Sequence, residues 1–158
     1  GAGPLPSRPL SAPFEALRDR ADAFTARTGA APSVFLANIG KLAAFAARAT
    51  FAANAFAAGG IAQTEAGDQG FDDPDAVGRA FKESGARFAC ICGADAGYAE
   101  LAPAFASALK AAGARQVWLA GRPGAADAEL RQAGVDDFIY MGADILAALT
   151  SAHRAIGV

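Results

Sequence analysis

From residue 32 onward, short apolar segments alternate with longer helical segments, and this alternation constrains the fold more than any other feature. The short segments are rich in apolar residues, as buried strands are. They are 34–37, 61–65, 88–92, 116–119 and 138–140. Short apolar strands joined by helices favour a parallel sheet that is covered on both faces. Because such crossovers are right-handed, we predict an α/β fold with a doubly wound, five-stranded parallel sheet of strand order 2-1-3-4-5.

Helical spacing and helix-end signals predict six helices. Asp73 before Pro74, and Asp144 before the last helical segment, are typical of helix N-termini. The predicted helices are 14–28, 41–58, 74–84, 95–112, 124–133 and 144–155. Pro, Gly and Ser are frequent before the first of them, which is typical of a linker. We therefore divide the chain into a linker and leading helix, 1–31, and an α/β domain, 32–158.

The composition argues against several classes of function. The 158 residues include 14 basic and 16 acidic side chains, a net charge of −2, so there is no electrostatic footprint for nucleic acid. No apolar run is long enough to span a membrane, and the first residues lack the features of a signal peptide. Two Cys and one His leave few ligands for a metal site. From these features we expect a cytoplasmic protein without a metal, a membrane partner or a nucleic-acid partner.

In a doubly wound sheet, ligands bind at the carboxyl ends of the strands, near the point where the strand order reverses. Here this edge comprises the loops 38–41 and 93–95. A dinucleotide fingerprint is missing, because the first loop has Gly40 alone, and the residue after Lys41 is not the Ser or Thr of a phosphate-binding loop. The first loop has no hydroxyl for a flavin phosphate, and Cys92 stands where a phosphorelay domain needs Asp.

The two cysteines and the single histidine have ordinary structural interpretations. Cys90 and Cys92 are two residues apart on a strand, so they point to one face, and we expect small core residues rather than a disulfide or a metal site. Cys92 has a second interpretation as a passive residue lining the crevice. His153 lies near the end of the last helix, where we expect a capping or surface role.

Several charged residues near the predicted crevice also have two interpretations. The acidic cluster at 72–75 is either a helix cap or a cation site, and we favour the cap. Asp95 is expected to cap the helix that it begins. Lys41 and Arg122 are either anion ligands or solvated side chains, and we favour the latter.

The helix predicted at 41–58 lacks the polar side that a helix covering one face of a sheet normally has. Its polar residues are Lys41, Arg48, Thr50 and Asn54. This pattern indicates a surface for another part of the protein or for a partner. The alternative is that the alanine content exaggerates the apolar character.

Several ordered and correctly spaced segments resemble the small (beta) subunit of methylmalonyl-CoA mutase. Characteristic stretches run from Pro13 to Arg18 and from Ala133 to Tyr140. The others are 34–40, 47–52, 57–61, 84–86 and 119–124. The resemblance covers about residues 13 to 150 and corresponds to the C-terminal, cobalamin-binding-type domain of that subunit. It implies a flavodoxin-like, cobalamin-binding-domain-like fold.

The resemblance also implies that the cofactor site is degenerate. Cobalamin-binding members of the family carry Asp-x-His-x-x-Gly after the first strand, in which the His ligates cobalt and the Asp orients it. These three positions are Leu42, Ala44 and Ala47 here. Binding members place hydroxyls after the third predicted strand, where this chain has Cys92 and Gly93. We therefore expect no catalytic, cofactor-binding or metal-binding residue and no cofactor in this chain.

In this family the small subunit is not catalytic, and the large subunit of the heterodimer carries adenosylcobalamin and interconverts methylmalonyl-CoA and succinyl-CoA. The resemblance therefore implies a domain of a mutase, an isomerase, that acts in subunit assembly with the catalytic large subunit. The alternative is a module that binds cobalamin or another small ligand in the same crevice without a histidine ligand.

Overall fold

The computed structural model describes residues 12–64 and 69–158, which form six helices and six strands. The helices are α1 (Ala12–Thr28), α2 (Leu42–Ala58), α3 (Pro74–Ser84), α4 (Asp95–Ala111), α5 (Asp127–Ala133) and α6 (Ile145–Ile156). The strands are β1 (Ser33–Ile39), β2 (Ala62–Gln63), β3 (Gly70–Phe71), β4 (Phe88–Cys92), β5 (Gln116–Ala120) and β6 (Asp137–Ile139). The predicted α/β fold is confirmed.

All strand pairs are parallel, and the sheet has the order β2-β1-β4-β5-β6, with β3 paired to β1 outside this path. The prediction of five strands is wrong by one, because β3 is only two residues long and has no apolar run to mark it. Asn38 pairs with Gly70 of β3 on one side and with Cys92 of β4 on the other. Thus β2 and β3 lie on the same edge of β1, and apart from β3 the strand order is the predicted one.

Because Gly70 has no side chain, β3 can pack closely against the loop that follows β1. A Cβ at this position would overlap the carbonyl oxygen of Gly40 and come within 2.8 Å of the Phe45 ring. The amide of Gly40 also donates to the carbonyl of Phe71 at 2.9 Å. These contacts fasten the loop after β1 to the edge of the sheet.

The sheet separates two apolar cores, as expected when helices cover both faces. One core lies beneath α1, α2 and α6 and contains a cluster of Phe56, Phe88 and Trp118, with ring centroids 5.0 to 6.0 Å apart. The other lies beneath α3, α4 and α5 and includes Phe35 and Phe81. The buried aromatic rings supply volume that alanine cannot.

The leading helix packs on the α/β domain. Leu17 and Ala21 of α1 are buried, and the Arg18 guanidinium donates to the carbonyl of Ala58 at 3.1 Å. The first eleven residues of the predicted linker lie outside the described residues. Within the described part of the chain, no helix is both long and apolar enough to cross a membrane.

Two of the three predicted helix caps are confirmed. Asp73 accepts a hydrogen bond from the amide of Asp75, and Asp144 accepts one from the amide of Ala147. The prediction for Asp95 is wrong, because the N-cap of α4 is Ala94 and Asp95 is the first helical residue. The Asp95 carboxylate instead faces a side chain of α2.

Candidate functional site

The crevice at the carboxyl ends of β4, β5 and β6 lies beside the N-terminal half of α2. It contains two cavities. The larger, about 570 Å³, is lined by Ala47, Phe51, Tyr140 and Met141 among others. The smaller, about 360 Å³, extends toward Leu130 at α5. Both cavities share the same four lining residues, which are Arg48, Asp95, Gly121 and Arg122.

Arg48 of α2 extends into this crevice toward the end of β4. One guanidinium nitrogen donates to the carbonyl of Gly93 at 2.8 Å, and another contacts Asp95 Oδ1 at 2.8 Å. The guanidinium carbon lies 5.0 Å from the centre of the Tyr98 ring, a cation–π distance. Burial tends to lower the pKa of Arg48, but the hydrogen bond to Asp95 and the attraction of Tyr98 and Asp95 raise it above its ordinary value. The side chain is therefore held as a cation.

Tyr98 of α4 joins the ends of two neighbouring strands. Its hydroxyl accepts from the amide of Gly93 at 2.9 Å and lies 2.6 Å from the carbonyl oxygen of Ala120, to which it donates. Burial raises the pKa of Tyr98 well above its ordinary value, so the hydroxyl keeps its proton and remains a donor. Backbone groups at the ends of β4 and β5, which a ligand could contact, are thus bound to a side chain of the protein itself.

The three positions that the resemblance assigns to the cobalamin motif lie along the start of α2. Leu42 is the first residue of the helix and is 60% exposed, and Ala44 and Ala47 are exposed as well. Of these three, Ala47 lines the larger cavity. A methyl group at position 44 has no lone pair to offer to cobalt.

The last residue of β4, Cys92, and the residue after it, Gly93, are closed to a ligand. Cys92 is fully buried in the core beneath α2, and Gly93 is buried at the end of the strand. A Cβ at Gly93 would come within 3.1 Å of Ile39 and 3.2 Å of the Tyr98 ring. Neither position has a hydroxyl to offer to a nucleotide tail.

The single histidine is remote from these positions, and its predicted surface role is wrong. His153 is 3% exposed, and its Nε2 lies 2.7 Å from the carbonyl oxygen of Gly59, just beyond the end of α2. Given the helical rise of 1.5 Å per residue, this carbonyl is about 20 Å from Ala44. Burial lowers the pKa of His153, so the neutral ring donates to Gly59. The residues present therefore do not fit a histidine-ligated cobalamin.

The remaining predicted residues have structural roles. Cys90 and Cys92 are buried free thiols on the same face, as predicted, and a hydrogen bond with Cys92 together with burial raises the pKa of Cys90. Arg122 is exposed; it donates to the carbonyl of Met141 at 3.1 Å and lies over the Tyr140 ring. Among the described residues, no group of three or more His, Cys, Asp or Glu side chains could hold a metal ion.

Two other charged features lie at the edge of the domain. The acidic cluster at 72–75 contributes the Asp73 cap of α3. Lys41 is exposed and precedes α2 without capping it through its side chain. Neither feature projects into the two cavities.

The outer face of α2 remains apolar in the folded chain. Phe45, Ala49, Ala52 and Phe56 form its buried face. Arg48, its one cationic residue, turns toward the crevice, so no charged side chain lies on the outer face. Among the described residues, the exposed large apolar side chains are Leu42 and Met141, at 60% and 75% exposure. Both lie at the carboxyl end of the sheet.

The two side chains that close the crevice could not be identified from the sequence. In the sequence, Arg48 is one of a few polar residues on an apolar helix. Its partners Gly93 and Asp95 lie 45 and 47 residues further along the chain. Tyr98 lies one turn into α4, and its carbonyl partner, Ala120, belongs to the next strand. No local pattern reports contacts of this kind.

The parallel sheet, its strand order and the helices on both faces define a doubly wound, flavodoxin-like domain. Of the two loops predicted to form the site, 93–95 lines the cavities through Asp95, whereas 38–41 lines neither of them. Curated relatives identify the chain further. It is 45% identical over 99% of its length to the methylmalonyl-CoA mutase small subunit of Streptomyces virginiae. It is 42% identical over 96% to the probable methylmalonyl-CoA mutase small subunit of Mycobacterium tuberculosis, and 34% identical over 92% to that of Propionibacterium freudenreichii subsp. shermanii.

These matches confirm the resemblance seen in the sequence: the chain is a homologue of methylmalonyl-CoA mutase small subunits and matches a C-terminal portion of them. The matched portion is 22 to 24% of the length of these relatives. No protein-family model matches the chain.

Proposed function

We propose that the chain is the cobalamin-free C-terminal domain of a cytoplasmic, non-catalytic methylmalonyl-CoA mutase small subunit, and that it acts in assembly with the catalytic large subunit. In this proposal the large subunit binds adenosylcobalamin and interconverts methylmalonyl-CoA and succinyl-CoA. The observation that carries the proposal is the crevice itself. Arg48 and Tyr98 are bound to the strand ends that a cofactor would contact, and position 44 has a methyl group.

The retained core supports a role that needs the fold but not its ligand. Apolar side chains fill both faces of the sheet, and aromatic contacts tie α2 to β4 and β5. A domain kept for assembly must preserve such packing, because a stable surface depends on it. It need not preserve buried polar groups aimed at a cofactor.

The apolar rim at the carboxyl edge supports an assembly role. Leu42 and Met141 are exposed there, and the adjoining outer face of α2 consists largely of alanine, with Thr50 and Asn54 as its polar residues. Leu42 and Met141 line different cavities, and the alanine-rich helix carries the apolar surface near both. Exposed apolar surface on a domain favours an interaction site. We assign this rim to contacts within the assembled mutase.

Co-purification tests the assembly role. The small subunit carrying this domain is co-expressed with a catalytic large subunit, and the yield of the complex and its mutase activity are measured. We expect the Leu42→Asp and Met141→Asp double variant to reduce recovery of the complex. The matched control is Ala104→Glu, an exposed change on α4 at the opposite face of the sheet. Equal recovery of both variants and the wild type would count against the assignment of the rim.

A ligand-binding module that lacks a histidine ligand is the second candidate function. The observation in its favour is the cavity of about 570 Å³ beside Phe51, Ile139 and Tyr140, which is large enough for a small molecule. Hydroxocobalamin and adenosylcobalamin are the probes. A saturable rise in the unfolding temperature with either compound would favour this second function over the first, because a ligand of the native state stabilises it.

A further inference from the structure

The Arg48 side chain lies at the boundary of the two cavities of the crevice. It is one of four residues that line both of them, with Asp95, Gly121 and Arg122. A Cβ on Gly121 would lie 3.9 Å from the Arg48 guanidinium carbon, so this group lies close above the end of β5. Without the side chain beyond Cβ, the two spaces would join into one groove from Met141 to Leu130.

The polar contacts of Arg48 occupy the same backbone groups that face the groove. The guanidinium binds the Gly93 carbonyl, and the Tyr98 hydroxyl below it binds the Gly93 amide. A ligand that contacts the Gly93 carbonyl would have to displace Arg48 from it, which leaves the guanidinium with the exposed Asp95 and the Tyr98 ring. Losing a partly buried hydrogen bond without replacing it is unfavourable.

We propose that Arg48 is the residue that excludes ligands from this domain: it acts as a built-in occupant of the carboxyl-edge crevice. The inference rests on the proposed function, in that it gives the physical means by which the domain stays free of cofactor. It goes further by assigning this exclusion to a single side chain. The absent histidine removes a cobalt ligand, whereas Arg48 divides the space beside the strand ends.

The contacts also indicate which partner of Arg48 matters most. The Asp95 side chain is 91% exposed, and Arg48 is 35% exposed, so their ion pair is screened by solvent and weak. The Gly93 carbonyl and the Tyr98 ring belong to the packed end of the sheet. We therefore expect the Gly93 hydrogen bond and the ring contact to hold Arg48 in place, with Asp95 contributing little.

Binding of 8-anilinonaphthalene-1-sulfonate, an aromatic fluorescent probe, tests the inference. We expect Arg48→Ala to bind the probe about tenfold more tightly than the wild type, a change of about 1.4 kcal/mol. Amide NMR shifts should place the probe at Gly93 and Gly121. The near-UV circular dichroism of the single Trp118, which is buried, checks that the fold is kept.

Three further variants make the result specific to Arg48. Arg122→Ala removes the other cation that lines both cavities, and we expect it to bind the probe no more tightly than the wild type. Asp95→Asn should stay within about twofold of the wild type because its ion pair is exposed. If Arg48→Ala does not fold, Arg48→Gln provides a second shortened side chain, for which a smaller gain in affinity is expected.

Unchanged probe affinity in folded Arg48→Ala, or an equal gain in Arg122→Ala, would overturn the assignment to Arg48. Probe shifts confined to amides away from Gly93 and Gly121 would do the same. The proposed function would be contradicted by different results. These are cobalamin binding by the wild-type domain, or failure of the wild-type small subunit to co-purify with the large subunit. The two failures can therefore be told apart.

Discussion

Tyr98→Phe isolates the hydroxyl group that binds the ends of β4 and β5. The change keeps the ring and removes the two short hydrogen bonds of the hydroxyl, which accepts from the Gly93 amide at 2.9 Å and donates to the Ala120 carbonyl at 2.6 Å, together with a longer contact to the Ile91 carbonyl at 3.3 Å. Gly93 and Ala120 are both buried, so water does not readily replace the lost partner. A buried polar group left without its partner costs about 1–3 kcal/mol, and we expect the two losses together to destabilise the domain by roughly 2–4 kcal/mol.

Urea and thermal unfolding, followed by circular dichroism, measure this cost. For a domain of this size, 1 kcal/mol shifts the unfolding temperature by roughly 2–4 °C, so a decrease of about 4–16 °C is expected. Tyr140→Phe is the matched control, because the chain has two tyrosines and the Tyr140 hydroxyl bonds no described residue. It should cost less than about 0.5 kcal/mol. Equal stability of the two variants would refute the role given to the Tyr98 hydroxyl.

Three further changes probe other parts of the fold. Because burial lowers the folded-state pKa of His153, the unfolded chain takes up the proton first as the pH falls below about 6.5, and stability is lost in that range. Urea unfolding at pH 7.5 and 5.5 should show a smaller loss in His153→Gln than in the wild type, and an equal loss contradicts this. Gly70→Ala forces a methyl group onto the Gly40 carbonyl and should cost about 1–3 kcal/mol in urea unfolding, whereas wild-type stability would show that the loop relaxes. Asp144→Ala removes the cap at Ala147 and should cost about 1 kcal/mol, and an unchanged midpoint would speak against it.

Most strands and helices could be predicted because apolar runs and helix-end residues mark their positions in the sequence. Apolar runs mark β4 and β5, which are buried along nearly their whole length, and Asp73 and Asp144 mark helix starts. The second edge segment, Gly70–Phe71, was not predictable. It is only two residues long, and it forms by pairing with Asn38 and Ile39 of β1.

The position of His153 could have been predicted from the sequence. Leu149, Ala152 and Ile156 are buried on α6, and His153 belongs to the same buried stripe at helical spacing. Proximity to the helix end favoured a capping role and obscured this pattern. The assignment of Ala44 to the position of a cobalt-ligating His rests on the family resemblance and stays a prediction.

The contacts of Arg48 and Tyr98 in the crevice could not be predicted, because they join segments that are distant in the sequence. Arg48 and Gly93 meet only once α2 has packed over β4, and their sequence separation hides the contact. The sequence therefore predicts which motif residues are absent, whereas the contacts of Arg48 and Tyr98 are seen only in the structure.

Titration of the purified domain with hydroxocobalamin tests the central claim most directly. Visible absorption spectra report cobalt ligation, and thermal unfolding reports any binding that leaves the spectrum unchanged. With the ligand at 100 times its dissociation constant, binding would add about 2.7 kcal/mol of stability. We expect neither a spectral change nor a rise in the unfolding temperature. A saturable shift to the spectrum of a nitrogen-ligated, protein-bound corrin would contradict the account.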